Sequence, residues 1–537
     1  MNQKGITNRT IKIPNYIIIS FLTIFAIGPQ YFINLSYTMN QEIVQNGLHL
    51  SSKDLLLPST LSNLGFALGV PLGPLFTRKL GLRKNYLYLI IIFLCGSIIN
   101  AISQDLFFLI LGRTIQGLSA GVLFLTMLPV SLKSFPNKIR NTFLFMVITG
   151  LFGATALGAF FGSFSLSVDA WRWLYILNIV SAVLCLIVGF FGLPKTEEHE
   201  LDRTPVDKTG IFLYTLILIL VVLSFPLCNL MDKGFSSLYV WPFFVVAFLL
   251  LILFLSIDMK AESPLIPFRT LKAAKPISGT IMAIASHVLM ILAIAGINGF
   301  LRHNKDLPFH YLLHFYIWFF IGMVVTAILK TLFYGVLGAG KMGIIGSLGV
   351  IYVTLQWRVM GPEVTLPTLY FQIALLGAGV SMVLVGGALG TAFAGNLHHA
   401  SLRSLTLHSS RNFIGAIITP MVGWFLSTQN ELQYGNIQEY LGENSSEAKS
   451  EIAQLTHRLM ESGLPLSKAQ SMASYELIAN TKKAAILGAY HHLFTIMLVF
   501  ACIMLVASIG KMVTGKGIGL VKKEPKVQVT SVKETTV

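Results

Sequence analysis

Apolar residues in this chain gather into runs of about 20, the length a helix needs to cross the roughly 30 Å hydrocarbon core of a bilayer, without the strict alternation of a barrel strand. Runs at 14–36, 55–76, 86–104, 106–132, 142–165 and 171–193 predict six spans. The polar segment PKTEEHELDRTPVDK separates them from two more at 210–230 and 239–257. After the connector DMKAESPLIPFRTLKAAKP come six further runs, at 276–300, 311–330, 342–358, 368–394, 412–427 and 486–510, for a total of about fourteen. The polar stretch between the last two, Thr428 to Lys483, has spaced apolar residues that predict short amphipathic helices. A lysine-rich tail begins at Lys511 and its end reads as disordered. The first run starts near Ile13 and has no small-residue cleavage site, so a retained span is expected there and not a cleaved signal peptide.

Composition sharpens this picture. The chain is 54% hydrophobic and 12% charged, with a mean hydropathy of +0.72, against roughly 25% charge in a soluble protein. Its net charge of +16 would suit nucleic acid, but the basic residues cluster in short loops, where they act as topology anchors. With an even number of spans, 27 lysines and arginines fall on the side of the termini and 11 on the other, which predicts that both termini are cytoplasmic. Cys95, Cys185, Cys228 and Cys502 lie in apolar runs without metal-like spacing and read as small packing residues. There is no phosphate-cradling glycine loop, H-E-x-x-H or catalytic triad, so neither an enzyme nor a cofactor is expected.

One residue does not belong in hydrocarbon. Arg113, within LGRTIQGLSAG, is permanently charged, and placing it at mid-membrane costs about 2.5–3.5 kcal/mol on insertion scales unless it faces a packed or wet interior. It is therefore the leading functional candidate, with Gln116 as its expected hydrogen-bond partner. Gln116, Gly117, Ala120 and Gly121 follow at helical spacing and are expected on the same face. Gly150, Ala154, Gly158 and Gly162 recur every fourth residue, as do Gly65, Gly69 and Gly73. Such ridges bring helices close together in lipid, and in a rocking transporter they also supply sliding interfaces.

In order along the chain, Arg113, Gln116 and Gly117 (R-x-x-Q-G), the small-residue ridge of the fifth run, and WRWLYILNIV, with Trp171, Arg172, Trp173 and Asn178, resemble the major facilitator superfamily, specifically its 14-span drug:proton antiporter branch. Glu262 to Arg269 (ESPLIPFR) resembles that branch's connector, and Ser410, Arg411, Asn412, Phe413 and Gly415 resemble the opening of its thirteenth span. The resemblance covers most of the chain and is thin from Gly299 to Pro367. It implies an all-α integral membrane fold of about 14 helices, two six-helix bundles with pseudo-two-fold symmetry around a central cavity, plus two inserted helices. The corresponding boundaries are 1–193 for the first bundle, 194–275 for the insert and connectors, 276–510 for the second bundle with an extracellular polar loop at 428–485, and 511–537 for a cytoplasmic tail.

Two departures from the branch matter. The turn GPLFTRKLGLRK carries Arg78, Lys79, Arg83 and Lys84 but lacks the acid that usually precedes the basic cluster, and it has one extra residue before Gly81. In the first span, FINLSYTMNQEIV puts Ile33 or Asn34 where a proton-carrying carboxylate normally stands, and no acidic residue lies near the middle of any span. Histidine is the substitute that could titrate. His287, mid-span within AIASHVLMILAIAG, is the coupling candidate, while His314 and the pair His491 and His492 lie near the outer surface and read as packing or interface residues. Most of the tryptophans at run ends, among them Trp171, Trp173, Trp241 and Trp357, read as interfacial anchors.

The resemblance thus implies a multi-pass transporter in the cytoplasmic membrane of a bacterial cell, a monomer that exports lipophilic or amphipathic small molecules by alternating access in multidrug efflux, with protons as the coupling ion. It has the lipid bilayer and no nucleic acid as partner. Two alternatives stay open: an exporter or facilitator of an anionic metabolite, which a cavity arginine without acids would suit, and a transporter-like sensor that no longer transports.

Overall fold

The computed structural model describes residues 13–50, 54–194, 206–221, 230–308, 310–395, 399–440 and 446–515. The amino-terminal arm, Cys228, most of the polar segment after the sixth span and the end of the tail lie outside them.

Among the described residues every regular element is a helix, as a chain in lipid requires, because a helix satisfies its own backbone. The first six predicted spans appear as α1 (Asn15–Met39), α3 (Leu56–Leu80), α4 (Leu82–Ile102), α5 (Leu106–Ser134), α6 (Thr142–Ser167) and α7 (Trp173–Gly192), with the short helix α2 (Gln41–Leu48) after the first. Next come α8 (Lys208–Ile219), the single turn α9 (Leu230–Lys233) and α10 (Trp241–Asp258), then α11 (Ala274–His303), α12 (His310–Trp357), α13 (Leu366–Ala392), α14 (Ala400–Tyr440), α15 (Ser446–Glu461) and α16 (Leu466–Val513). Ten of these are long and apolar enough to cross a membrane.

Local chemistry sets several boundaries. Asp105 caps α5 by accepting from the Phe108 amide at 2.9 Å, and Asp207 caps α8 by accepting from Gly210 at 2.7 Å. A single residue joins α3 to α4: Gly81, at φ +75°, takes the left-handed turn that a side chain would resist. Gly338 does the same work inside α12, where its φ of +70° breaks the helix. At 1.5 Å per residue α12 is about 72 Å long, enough for two crossings. The loop expected between the runs at 311–330 and 342–358 is thus one glycine joint.

Two further expectations change. The thirteenth run was expected to begin at 412, yet α14 starts at Ala400 and carries Arg403, His408 and Arg411 inside the helix. The polar stretch after it is helical, as its spacing predicts, but continuous with the neighbouring spans: α14 extends to Tyr440, and α16 begins at Leu466. With α15 these extensions form a small helical cap around Leu455, Ala473 and Leu477.

The core divides in two. One apolar cluster is built mainly from α1, α3 to α8 and α10, the other mainly from α11 to α14 and α16. The halves meet where α6 packs on α12 and α3 packs on α14. Tyr214 on α8 lies against Phe254 and Phe413 and donates to the Ala67 carbonyl at 3.3 Å, which ties the α8–α10 pair to both halves.

Candidate functional site

Arg113 is fully enclosed on α5. Its Nη2 donates to the side-chain oxygen of Asn34 on α1, and its guanidinium carbon stands 5.7 Å from the centre of the Tyr37 ring. Asn34 Nδ2 donates to Asn63 Oδ1 at 3.3 Å, and Gln30 Nε2 donates to Ser62 Oγ at 2.8 Å, so an amide and hydroxyl network joins α1 to α3 beside the charge. Of the two first-span positions where a carboxylate was looked for, Asn34 is the one that faces the arginine, and Ile33 is buried in an apolar cluster.

Gln116 does not hold Arg113. Its oxygen accepts from Asn100 Nδ2 at 2.9 Å and its nitrogen donates to Ser97 Oγ at 2.8 Å, both on α4. The stripe expected on one face of α5 is therefore shared among three neighbours: Arg113 turns to α1, Gln116 to α4, and Gly117 and Gly121 to α3. A side chain at Gly117 or Gly121 would run into the backbone of Ser62 or Phe66. Reciprocally, a Cβ at Gly65 would stand 2.8 Å from the Thr114 carbonyl, and one at Gly69 or Gly73 would collide with Leu118 or Val122. The α6 ridge presses on α1 in the same way: Gly150 on Ile24, Gly158 on the Phe32 carbonyl and Gly162 on Ser36.

The basic turn lies where α3 and α4 meet. Arg83 donates to the Phe190 carbonyl and stacks 4.7 Å over the Phe190 ring, while Arg78 and Lys79 fall in the last turn of α3 and Lys84 in the first turn of α4. Where the usual acid is missing, Asn85 Nδ2 donates to Thr77 Oγ1 at 3.0 Å and to Thr126 Oγ1 at 3.1 Å, so neutral groups tie α3, α4 and α5 together.

Two adjoining cavities of about 170 and 160 Å³ lie between the halves and share Tyr31, His287 and Arg411. The first has mainly apolar walls, and no acidic residue lines either. His287 thus faces the central space, where it makes no hydrogen bond with a described residue, and it lies beside Gly415. A larger hollow of about 640 Å³ is a side groove between α1, α6, α7 and α12, walled by outward-facing residues such as Phe25, Leu157 and Phe160. Its polar lining is Thr149, Ser181 and Asn178, of which the two hydroxyls donate to helix carbonyls and Asn178 Nδ2 has no partner among the described residues. We take the central pair as the site, because it lies between the halves and is lined by the buried Arg411 together with His287 and His408.

Sequence reasoning missed Arg411, His408 and Lys330. Arg411, Arg403, Lys330 and Lys511, which counted as loop residues on the side of the termini, are all buried within helices. Lys330 Nζ donates to Ser381 Oγ at 2.8 Å between α12 and α13. Trp357 is no interfacial anchor either: it is fully buried and donates from Nε1 to Gln372 Oε1 at 2.8 Å. Trp171 is likewise buried, whereas Trp241 is exposed. His491 Nε2 lies 2.8 Å from the Met360 carbonyl, and His492 Nε2 lies 3.1 Å from Gln433 Nε2.

A sequence model described as the Major Facilitator Superfamily matches residues 17–420. The chain belongs to the Major Facilitator Superfamily. It is accordingly a multi-pass membrane transporter for a small molecule and not an enzyme. Among superfamily relatives, the uncharacterised MFS-type transporter YubD of Bacillus subtilis (strain 168) is 30% identical over 80% of this chain and 84% of its own. The quinolone resistance protein NorB of Staphylococcus aureus (strain MRSA252) is 29% identical over 34% of this chain and 39% of its own. A solved bacterial homologue of the human lysosomal transporter Spinster, inward-facing and unoccupied, superposes with a TM-score of 0.54 at 12% identity, covering 95% of this chain and all of that one, and shows the shared fold.

Proposed function

We propose that this transporter exports lipophilic or amphipathic small molecules by alternating access, as a member of the 14-span drug:proton antiporter branch. The observation that carries this reading is the central pair of cavities, to which both halves contribute: mainly apolar walls in the first, and mostly polar side chains in the second. Such a lining suits a molecule with a large apolar body and one polar group. The partial match to NorB supports efflux as the direction.

In this reading 1–193 and 276–510 form the two rocking bundles, 194–275 the insert, 428–485 the outer cap and 511–537 a cytoplasmic tail. Counting α12 as two crossings and adding α3, α8 and α14 to the apolar helices gives fourteen, with both termini in the cytoplasm of a bacterial cell. Even without the four buried cations, the loop lysines and arginines still favour that orientation. Arg113 and His287 are the transport and coupling residues, Gln116 supports α5 from α4, and the glycine ridges are the surfaces that slide. The chain acts as a monomer and exchanges substrate for protons. The titratable side chains that face the cavities are Tyr31, His287, His408 and Arg411, so a proton carrier must come from among these or from the substrate.

The test is efflux of rhodamine 6G from proteoliposomes with and without an imposed pH gradient. Gradient-driven movement that Arg113→Ala abolishes supports the reading, and His287→Ala should flatten its pH dependence. Absence of movement under any gradient, for any amphipathic probe, would sink it.

A further inference from the structure

We infer that Arg411 is the anion-binding residue of the central cavity and that the transported molecule is an amphipathic anion, its carboxylate, sulfonate or phosphate held by Arg411 together with His408 and His287. This rests on the central cavity being the substrate site.

Five lysine and arginine side chains are buried among the described residues. Four have acceptors within the fold: Arg113 donates to Asn34, Lys330 to Ser381, Arg403 to the Thr391 and Ala392 carbonyls, and Lys511 to the Lys275 and Gly390 carbonyls at 2.9 and 2.7 Å. Arg411 is 9% exposed and donates to no described residue. Its Nε is enclosed without a partner, as are Nε and Nη1 of Arg113, but unlike Arg113 it has no acceptor on any other nitrogen among the described residues; the Phe124 ring lies 5.8 Å from its guanidinium carbon. A buried guanidinium without an acceptor is costly and persists where something else compensates it. An anionic ligand would do so, and the planar fork of arginine fits a carboxylate or phosphate with two parallel hydrogen bonds.

The surroundings extend the argument. His408 lies three residues before Arg411 and so on the same side of α14. It is 7% exposed, its Nδ1 is enclosed without a partner, and its ring meets Phe124 edge-on at 5.2 Å. His287 reaches the same space from α11, and Gly415 makes room for it, since a Cβ there would stand 2.7 Å from His287 Nε2. Three nitrogen-bearing side chains from two helices of the second half thus converge without an acceptor. They face Tyr31 of the first half, and no acidic residue lines the space. Beyond them Leu128, Phe143, Ile148, Phe152 and Met290 form an apolar wall. One end of the cavity therefore suits an anionic group and the other a hydrophobic body.

The experiment compares binding of tritiated taurocholate, an amphipathic sulfonate, and tritiated tetraphenylphosphonium, a lipophilic cation, to the purified full chain by scintillation proximity. Wild type is expected to bind taurocholate, with Arg411→Gln weakening it by about 10- to 100-fold, the range for loss of a charge-assisted hydrogen-bonded contact, and Arg411→Lys restoring part of it. If Arg411→Gln elutes as aggregate, His408→Gln serves instead, with a weakening of about 3- to 10-fold. Equal taurocholate binding by wild type and these variants overturns the assignment. Tetraphenylphosphonium bound and transported by a wild type that ignores taurocholate overturns it too, and leaves the cavity reading standing. Failure to bind or move either probe overturns both. Competition by inorganic phosphate or acetate as strong as by dodecyl sulfate would contradict the apolar half of the site.

Discussion

Arg113 on α5 donates to the side-chain oxygen of Asn34 on α1, so a neutral amide stands opposite the charge at one of the two positions where the sequence resemblance implies a carboxylate. The guanidinium is held by hydrogen bonding and by the Tyr37 ring, not by a counter-charge.

Removing that amide should therefore be felt. Asn34→Ala withdraws the hydrogen-bond acceptor from a buried charge and should lower stability by about 1–3 kcal/mol, whereas Asn34→Asp supplies a charged acceptor and should raise it. Apparent Tm in detergent, by scanning fluorimetry, separates the two. Equal Tm in all three proteins would mean that the contact carries no weight.

The α3–α5 contact has no room for a methyl group at Gly117, which meets the Ser62 carbonyl. Gly117→Ala should cost about 1–3 kcal/mol by forcing the helices apart. Gly335 in α12 has open space around it, so Gly335→Ala should be neutral or gain up to about 1 kcal/mol from helix propensity. The same Tm measurement checks both, and a Gly117→Ala protein as stable as wild type would refute the packing account.

Trp357 and Gln372 pin the end of α12 to α13 inside the second half. Trp357→Phe leaves a buried acceptor unpaired and should cost about 1–3 kcal/mol while leaving the preference among substrates unchanged. A changed ratio of transport rates between two probes would show that this tryptophan reaches the substrate.

How much of this was legible in the sequence depended on what kind of signal each residue leaves. Arg113 stands out because a charge interrupts an apolar run, and the glycine ridges because their interval of four is a one-dimensional pattern. Both survive folding intact. The partner of Gln116 was not legible, since which neighbouring helix a face meets depends on interhelical register, and a small change in rotation turned the amide from Arg113 toward Ser97 and Asn100. Arg411 was hidden by its own segment: SLRSLTLHSS is polar enough to read as a loop, so the expected span began at 412, just past Arg411, although the helix starts at Ala400. Helical spacing of His408, Arg411 and Gly415 could have revealed the shared face. The joint at Gly338 was hidden too, because a glycine in a glycine-rich apolar run leaves no mark of its positive φ.

The central claim is that the two halves move against each other around the cavity. Asn141 at the start of α6 donates to the Thr331 carbonyl of α12 at 3.5 Å, a contact between halves that must open in alternating access. In a chain whose four cysteines are replaced by alanine, the pair Asn141→Cys and Thr331→Cys should form a disulfide on oxidation. Proteoliposome transport of an amphipathic probe is then measured before oxidation, after it and after reduction. The account predicts that oxidation abolishes transport and that reductant restores it. Undiminished transport in a fully cross-linked sample would contradict it.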